Sequence, residues 1–159
     1  MHANQPAMTV KMFRAFAVTG FAGAIAVVAV CADAASAAAP SASQYEACLN
    51  RAQSDPSGAL MLASSWAKSG GGAPADHCAA LALVGLRRFA EAGTKLDALG
   101  ASPATGGADM RTAIYDQAGN AWLLAGQADR AVNSFSAALA IDPLDADLLA
   151  DRARANAFK

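Results

Sequence analysis

Aromatic and charged side chains are scarce in this sequence. Of its 159 residues, 6% are aromatic and 16% are charged, and the formal net charge at pH 7 is −1. Proteins that bind nucleic acid through phosphate contacts need a surface with an excess of lysine and arginine. The near-balanced charge therefore argues against nucleic acid as a partner, and also against tight attraction to an anionic membrane surface.

Histidine and cysteine are rarer still, with two and three residues. After residue 37 only Cys48, His77 and Cys78 remain, without the further ligands that a zinc site needs. His77 and Cys78 are adjacent, so on a helix they point about 100° apart and cannot pair as nucleophile and base. We therefore expect no catalysis, no metal and no cofactor. A thiol redox or metal function at these three residues is the weaker alternative.

The first part of the chain has the pattern of an export signal. Lys11 and Arg14 precede an uncharged, apolar run at residues 15–32, and two small-residue sites of the type that a signal peptidase cleaves end at Ala34 and Ala37. This arrangement predicts that residues 1–37 are a signal peptide. The remaining chain would then be periplasmic or secreted by a bacterial cell.

Two other interpretations of this segment stay open. The run at residues 15–32 is just long enough to span a bilayer, so an uncleaved chain would be anchored in the inner membrane. Cys31 would be acylated in a lipoprotein, but Val30 is larger than the residue that lipoprotein signals place before the cysteine.

Helical patterns fill the chain after a flexible lead-in at residues 38–42, and β-branched residues are too few and scattered to predict a strand. Ser43 is a candidate N-cap for a first helix that ends near Gln53. The positions of proline and glycine, together with the helical spacing of apolar residues, predict further helices. They lie from Pro56 to about residue 69, from residue 74 or 75 onward, at 90–99, at two places within 112–145, and at 146–158. An exposed connection is expected at 102–108.

Segment 112–145 carries the most specific pattern. Small residues alternate there with bulky ones, and this pattern suits two antiparallel helices in close contact. The small residues are Gly119, Ala131 and Ala138, the bulky ones are Tyr115, Trp122, Phe135 and Leu139, and Pro143 lies near the end. The segment resembles a tetratricopeptide repeat, a helical hairpin of 34 residues. The resemblance extends less strongly to residues 73–106 and weakly to about 40–72, with 146–158 as a capping helix. Arg87 stands where such repeats have a turn glycine, so we expect that turn to be less regular.

The resemblance implies an all-α fold, a short right-handed solenoid of helical hairpins over residues 43–159, preceded by the signal helix. It also implies a concave groove, lined by the first helix of each hairpin, for a protein or peptide partner. The groove residues would be His77, which we expect to be partly exposed, with Leu81, Val84, Asp116, Asn120, Leu123, Leu124, Ala150 and Arg154. Asp116 replaces the lysine with which chaperone-binding members grip a terminal carboxylate, so capture of a carboxylate is not expected.

The predicted function is therefore a non-catalytic protein-interaction module. The alternative is a self-assembling subunit of an envelope complex, a homo-oligomer joined through Leu81, Val84, Leu123 and Leu124. An even number of cysteines in an exported chain favours a disulfide between Cys48 and Cys78, and two buried free thiols are the other possibility.

Overall fold

The structure, a computed structural model, describes residues 42–159. Seven α-helices and one 3-10 turn make up this part of the chain, which contains no strand: α1 (Ala42–Ser54), α2 (Pro56–Lys68), α3 (Gly72–Gly85), α4 (Phe89–Ala101), the 3-10 turn (Pro103–Thr105), α5 (Ala108–Leu124), α6 (Ala128–Ile141) and α7 (Ala146–Ala157). The all-α prediction is confirmed for these residues. The predicted signal peptide, its anchor and lipoprotein alternatives, and most of the lead-in lie outside them.

Capping residues set the starts of two helices. The carboxylate of Asp55 accepts a hydrogen bond from the backbone N–H of Gly58, and Pro56 occupies the first turn of α2. At α7, Asp145 accepts from the backbone N–H groups of Asp147 and Leu148. These bonds satisfy donors that the first turn of a helix leaves without an intrahelical partner.

Two helix starts differ from the prediction. α1 already includes Ala42, and α3 begins at Gly72 rather than at residue 74 or 75. Gly70 and Gly72 in the connection after α2 have φ values of 91° and 54°, which glycine adopts without strain. Gly71 is buried because its backbone passes close to the ring of Trp66, where a Cβ would lie 2.7 Å from ring carbons. The chain is therefore free to re-enter a helix at Gly72.

The turn at Arg87 is as regular as the turn at Gly126, contrary to the expectation from the sequence. Arg87 has a φ of 59° and Gly126 a φ of 70°. Both turns are closed by the same two bonds: the N–H groups of residues 87 and 88 donate to the carbonyls of Val84 and Leu83, and those of residues 126 and 127 donate in the same way to α5. An arginine in this left-handed region is strained by about 1–2 kcal/mol, and tertiary packing outweighs that strain.

Each helix packs against the next, and α1 also packs against α3. The largest fully buried side chains are Trp122, Phe135, Leu96 and Ile114, and small residues lie opposite the rings. Gly93 faces the indole of Trp122, and Gly119 faces the ring of Phe135. The close approach predicted for segment 112–145 is thus present, because a hydrogen at the glycine leaves room for an aromatic ring.

The half-buried carboxylate of Asp97 ties three helices together beside this core. The indole N–H of Trp122 in α5 donates to Asp97 Oδ2 at 2.7 Å, and the hydroxyl of Ser134 in α6 donates to Asp97 Oδ1 at 2.7 Å. The guanidinium of Arg130 lies 4.6 Å from the centre of the Trp122 ring. One carboxylate from α4 therefore fixes the relative position of α5 and α6.

None of the helices between residues 42 and 159 combines the length and the apolar character that crossing a bilayer would require.

Candidate functional site

The first helices of the successive pairs are α1, α3 and α5, and they lie next to one another in that order. The side chain of His77 connects all three: its Nδ1 contacts the hydroxyl of Tyr45 in α1, and its Nε2 lies 2.6 Å from Gln117 Oε1 in α5. His77 is only 6% exposed, so the expectation of a partly exposed groove residue is wrong. No local pattern indicates this burial, because Tyr45 and Gln117 are 32 and 40 residues away along the chain.

Burial determines the electrostatics of His77. The pKa of its imidazole is lowered mainly by loss of solvation and is raised to a smaller extent by the hydrogen bond with Gln117. The neutral ring is therefore favoured. Burial also raises the pKa of the Tyr45 phenol.

Cys48 and Cys78 form a disulfide next to this connection, with their Cα atoms 6.0 Å apart. This agrees with the predicted bridge between α1 and α3, and both residues are fully buried. A buried bridge offers no thiolate for attack or for metal binding. Furthermore, the part of the chain that the structure describes has no cluster of histidine, cysteine, aspartate and glutamate suited to a metal ion.

The four apolar residues predicted for the groove are unequally exposed. Leu81, Val84 and Leu123 are half-buried and pack against the hydrophobic core. Leu124, by contrast, is 60% exposed. Most of the apolar surface on which the self-assembly hypothesis depends is thus already used inside the fold.

A cavity with a volume of about 610 Å³ opens between α5 and α7. Its wall combines apolar side chains with carboxylates. The lining residues are Ala108, Asp109, Thr112, Ala113, Asp116, Ile141, Asp142, Asp145, Asp147, Leu148 and Asp151. We refer to this cavity as the α5–α7 pocket. Of the predicted groove residues, Asp116 is the one that lines it.

Asp116 is half-buried in the wall of this pocket. Loss of solvation raises the pKa of its carboxyl group above the ordinary range, and the charges of Asp151, Asp145 and Asp147 raise it further. Asn120 acts in the opposite direction. Its amide donates to Asp116 Oδ1 at 3.1 Å and to the Asp116 backbone carbonyl at 3.0 Å. Asn120 is thus engaged within α5 and steadies the carboxylate rather than reaching into the pocket by itself.

Two other carboxylates that line the pocket also have partners within the fold. Asp145 caps α7, and Asp151 forms an ion pair with Arg154, one of the predicted groove residues. The hydroxyl of Thr112, however, is buried and has no hydrogen-bond partner within residues 42–159. Ala150, also predicted for the groove, is exposed on α7 but does not line the pocket.

Sequence reasoning missed most of this wall. The aspartates around residue 145 have the pattern of a helix start, and nothing local indicates that they face α5. Their common orientation arises only when α7 folds back against α6, with Leu148 and Ala155 buried in the same cluster as Trp122 and Phe135.

A scan of protein-family models, a search of curated proteins and a search of solved structures each gave no match to this chain.

Proposed function

We propose that this chain is an exported, non-catalytic protein-interaction module, built as a short right-handed solenoid of tetratricopeptide-like hairpins. The order of contacts supports a solenoid. First helices touch first helices, through Cys48–Cys78 and His77–Gln117, and second helices touch through Asp97–Ser134. In a solenoid each repeat contacts its neighbours in this way, and one face of the stack is left as a concave surface.

The α5–α7 pocket is the observation that carries the proposal. Its volume of about 610 Å³ suits a side chain or short peptide segment, and its mixed wall offers both apolar contact and charge. The six aspartates of the wall are partly offset by Arg154, which pairs with Asp151. Charge complementarity therefore favours a partner that inserts a lysine or an arginine.

The environment of Asp116 supports a role in binding rather than in stability. A carboxylate that is partly desolvated and surrounded by like charge destabilises the fold when it ionises. Carboxyl groups with a pKa perturbed in this way are enriched at functional sites. A bound cation would remove the unfavourable repulsion among Asp116, Asp145 and Asp151, and the removed repulsion would contribute to affinity.

The disulfide is consistent with the export that the proposal assumes. Structural disulfides persist in oxidising compartments such as the bacterial periplasm and the extracellular space. A bridge with both sulfurs buried inside the α1–α3 contact is of the structural type. We accordingly assign the module to the periplasm or the secreted fraction.

A peptide array read with the full-length chain tests the proposal. The array holds extended seven-residue peptides that differ only in whether the central residue is lysine, arginine, glutamine or glutamate. We expect binding to the two basic series, with a dissociation constant that rises with salt concentration because the contact is electrostatic. The double variant Asp116→Asn with Asp147→Asn should weaken binding by roughly tenfold or more, as expected for loss of a paired charge.

A matched control removes two negative charges elsewhere. Glu46 in α1 and Glu91 in α4 are exposed and do not line the pocket. The variant Glu46→Gln with Glu91→Gln should bind the basic peptides as the wild type does. Equal binding by all four peptide series, or equal loss in both double variants, would reject the pocket as the binding site.

A further inference from the structure

The outward side of α7 is apolar although it faces solvent. α7 packs mainly against α6, and Leu148 and Ala155 are its buried residues. On the opposite side, apolar residues recur at helical spacing and all of them are exposed; they are Ala146, Leu149, Ala150, Ala153 and Ala157. At about 100° per residue, these positions fall within an arc of about 100°. We refer to them as the α7 outer face.

The helix at the other end of the stack has a different surface. The exposed residues of α1 include Glu46, Asn50, Arg51 and Gln53, so its outer surface is polar. Terminal repeats of a solenoid need such a polar outer surface for solubility. α7 has the opposite character, and within residues 42–159 its outer face stays exposed. A helix that is apolar on both sides is typical of one buried between two neighbours.

The spacing of the alanines on this face fits contact with a second helix. Ala146, Ala150, Ala153 and Ala157 are separated by four, three and four residues, which is the alternation of the two core positions of a heptad. Because alanine has a short side chain, a helix that packs on this seam can approach closely. Leu149 lies beside the seam and is 41% exposed, so the contact would remove its apolar surface from water.

The charges beside the seam indicate which helix would pack there. Asp147 and Arg154 flank the seam on the same side, seven residues apart, so they occupy the same heptad position. In an antiparallel pair of helices, equivalent flanking positions face each other. Two antiparallel copies of α7 would therefore place Asp147 of each copy opposite Arg154 of the other. Asn156, on the other flank, is uncharged and adds no repulsion.

The exposed large apolar residues next to α7 fit the same arrangement. Leu144 precedes the helix and is 87% exposed, and Phe158 follows its last residue and is 70% exposed. When Ala150 of one copy lies opposite Ala153 of the other, the antiparallel register brings Leu144 close to Phe158 of the second copy. Both ends of the contact would then bury apolar surface.

We propose that the α7 outer face is a self-association surface, on which two copies of this chain pair through antiparallel α7 helices. The contact is isologous, so a two-fold axis between Ala150 and Ala153 relates the copies and closes the assembly as a dimer. It uses none of the four apolar groove residues that the sequence suggested for self-assembly. Pairing also requires no ligand in the α5–α7 pocket, although Asp147 lines that pocket too.

Sedimentation equilibrium of the full-length chain tests the pairing. We expect a monomer–dimer equilibrium. Ala150→Glu with Ala153→Glu places four carboxylates at the centre of the contact and should weaken association by roughly tenfold or more. Both positions are exposed and glutamate is a good helix former, so the monomer should keep the circular dichroism spectrum of the wild type.

A matched control adds the same charge elsewhere. Ala47 in α1 and Ala67 in α2 are exposed and lie far from α7 along the stack. The variant Ala47→Glu with Ala67→Glu should associate as the wild type does. Association through residues 1–41 would be equal in both double variants, so the comparison isolates the contribution of α7.

Exchange of the flanking charges tests the antiparallel orientation. Asp147→Lys alone sets a lysine against Arg154, and Arg154→Glu alone sets a glutamate against Asp147. Each variant should therefore dimerise about tenfold more weakly than the wild type at low salt. A one-to-one mixture of the two variants restores both contacts between opposite charges and should regain the wild-type association as a heterodimer.

A wild-type chain that stays monomeric at millimolar concentration would overturn the proposal. So would equal association of the wild type and the variant with Ala150→Glu and Ala153→Glu. If that variant is monomeric but the mixture of the two charge variants fails to recover, the antiparallel arrangement is wrong.

Discussion

Replacement of Gly119 by alanine has two opposite effects on the stability of the fold: a gain in helix propensity and a steric overlap with Phe135. Gly119 lies inside α5, and alanine is favoured over glycine in a helix interior by about 1 kcal/mol. A Cβ at this position would, however, lie 2.5 Å from Cε1 and 2.6 Å from Cζ of Phe135. Carbon atoms do not approach so closely, so α5 and α6 would have to separate or the ring would have to leave its rotamer.

The cost of this overlap outweighs the gain in helix propensity. Phe135 is fully buried in the contact between α5 and α6, where few voids can accept a displaced ring. Overpacking of a filled core costs typically about 1–3 kcal/mol, and an overlap with ring carbons on a fully buried residue belongs at the upper end. We expect Gly119→Ala to destabilise the fold by about 1–2 kcal/mol after the helix gain is subtracted.

Denaturation in urea, followed by far-UV circular dichroism, measures the change as a shift in midpoint at constant slope. The same replacement in a second background, the Phe135→Leu variant, serves as a control. Phe135→Leu removes the ring edge that the new Cβ would meet, so Gly119→Ala in that background should be neutral or stabilising by up to about 1 kcal/mol. If Gly119→Ala stabilises the wild-type chain, or destabilises both backgrounds equally, the inference that this glycine is required by the ring is wrong.

Four further changes have definite expectations. Arg87→Gly should stabilise the fold by about 0.5–1 kcal/mol in the same urea assay, because relief of left-handed strain exceeds the entropy that glycine adds to the unfolded chain; a loss would contradict this. Asp97→Ala should cost about 1–3 kcal/mol because it leaves the buried indole N–H of Trp122 unpaired, whereas Ser134 can still donate to the Arg130 carbonyl; Asp97→Asn should cost less. Replacing Cys48 and Cys78 together by alanine should cost about 3.5 kcal/mol on the loop-entropy account of a closed segment of about thirty residues. The pKa of the Asp116 carboxyl is raised in the fold, so the stability of the fold decreases as the pH rises from the ordinary aspartate pKa to the folded-state pKa. Asp116→Asn should therefore raise Tm at pH 7, and it should not raise Tm in acid, where the wild-type carboxyl is already protonated.

The pH response of His77 has the opposite sign. Its pKa is lowered in the fold, so the unfolded chain binds the proton more readily. Stability is therefore full above the ordinary histidine value of about 6.5 and decreases as the pH falls below it. A His77→Gln variant should lack this component, which thermal denaturation between pH 7.5 and 5.5 can measure.

The sequence alone determined the helices and most of their limits. Proline and aspartate mark the start of α2, and glycine or proline marks most of the ends, because these residues act on the backbone within one turn. Spacing of small and large residues also predicted the close pairing of α5 with α6, since helix periodicity decides which residues share a face. The even cysteine count favoured a disulfide over two buried free thiols, and the structure has the bridge.

Only the tertiary structure decided which residues are available for function. His77 has partners 32 and 40 residues away, so its burial has no local signature. Arg87 takes a glycine conformation because packing of α3 against α4 outweighs a local strain of about 1–2 kcal/mol. The carboxylates of α7 face Asp116 only because that helix folds back beside α5. Local rules therefore predict where helices begin and end, whereas burial and shared charge are properties of surfaces that distant segments create together.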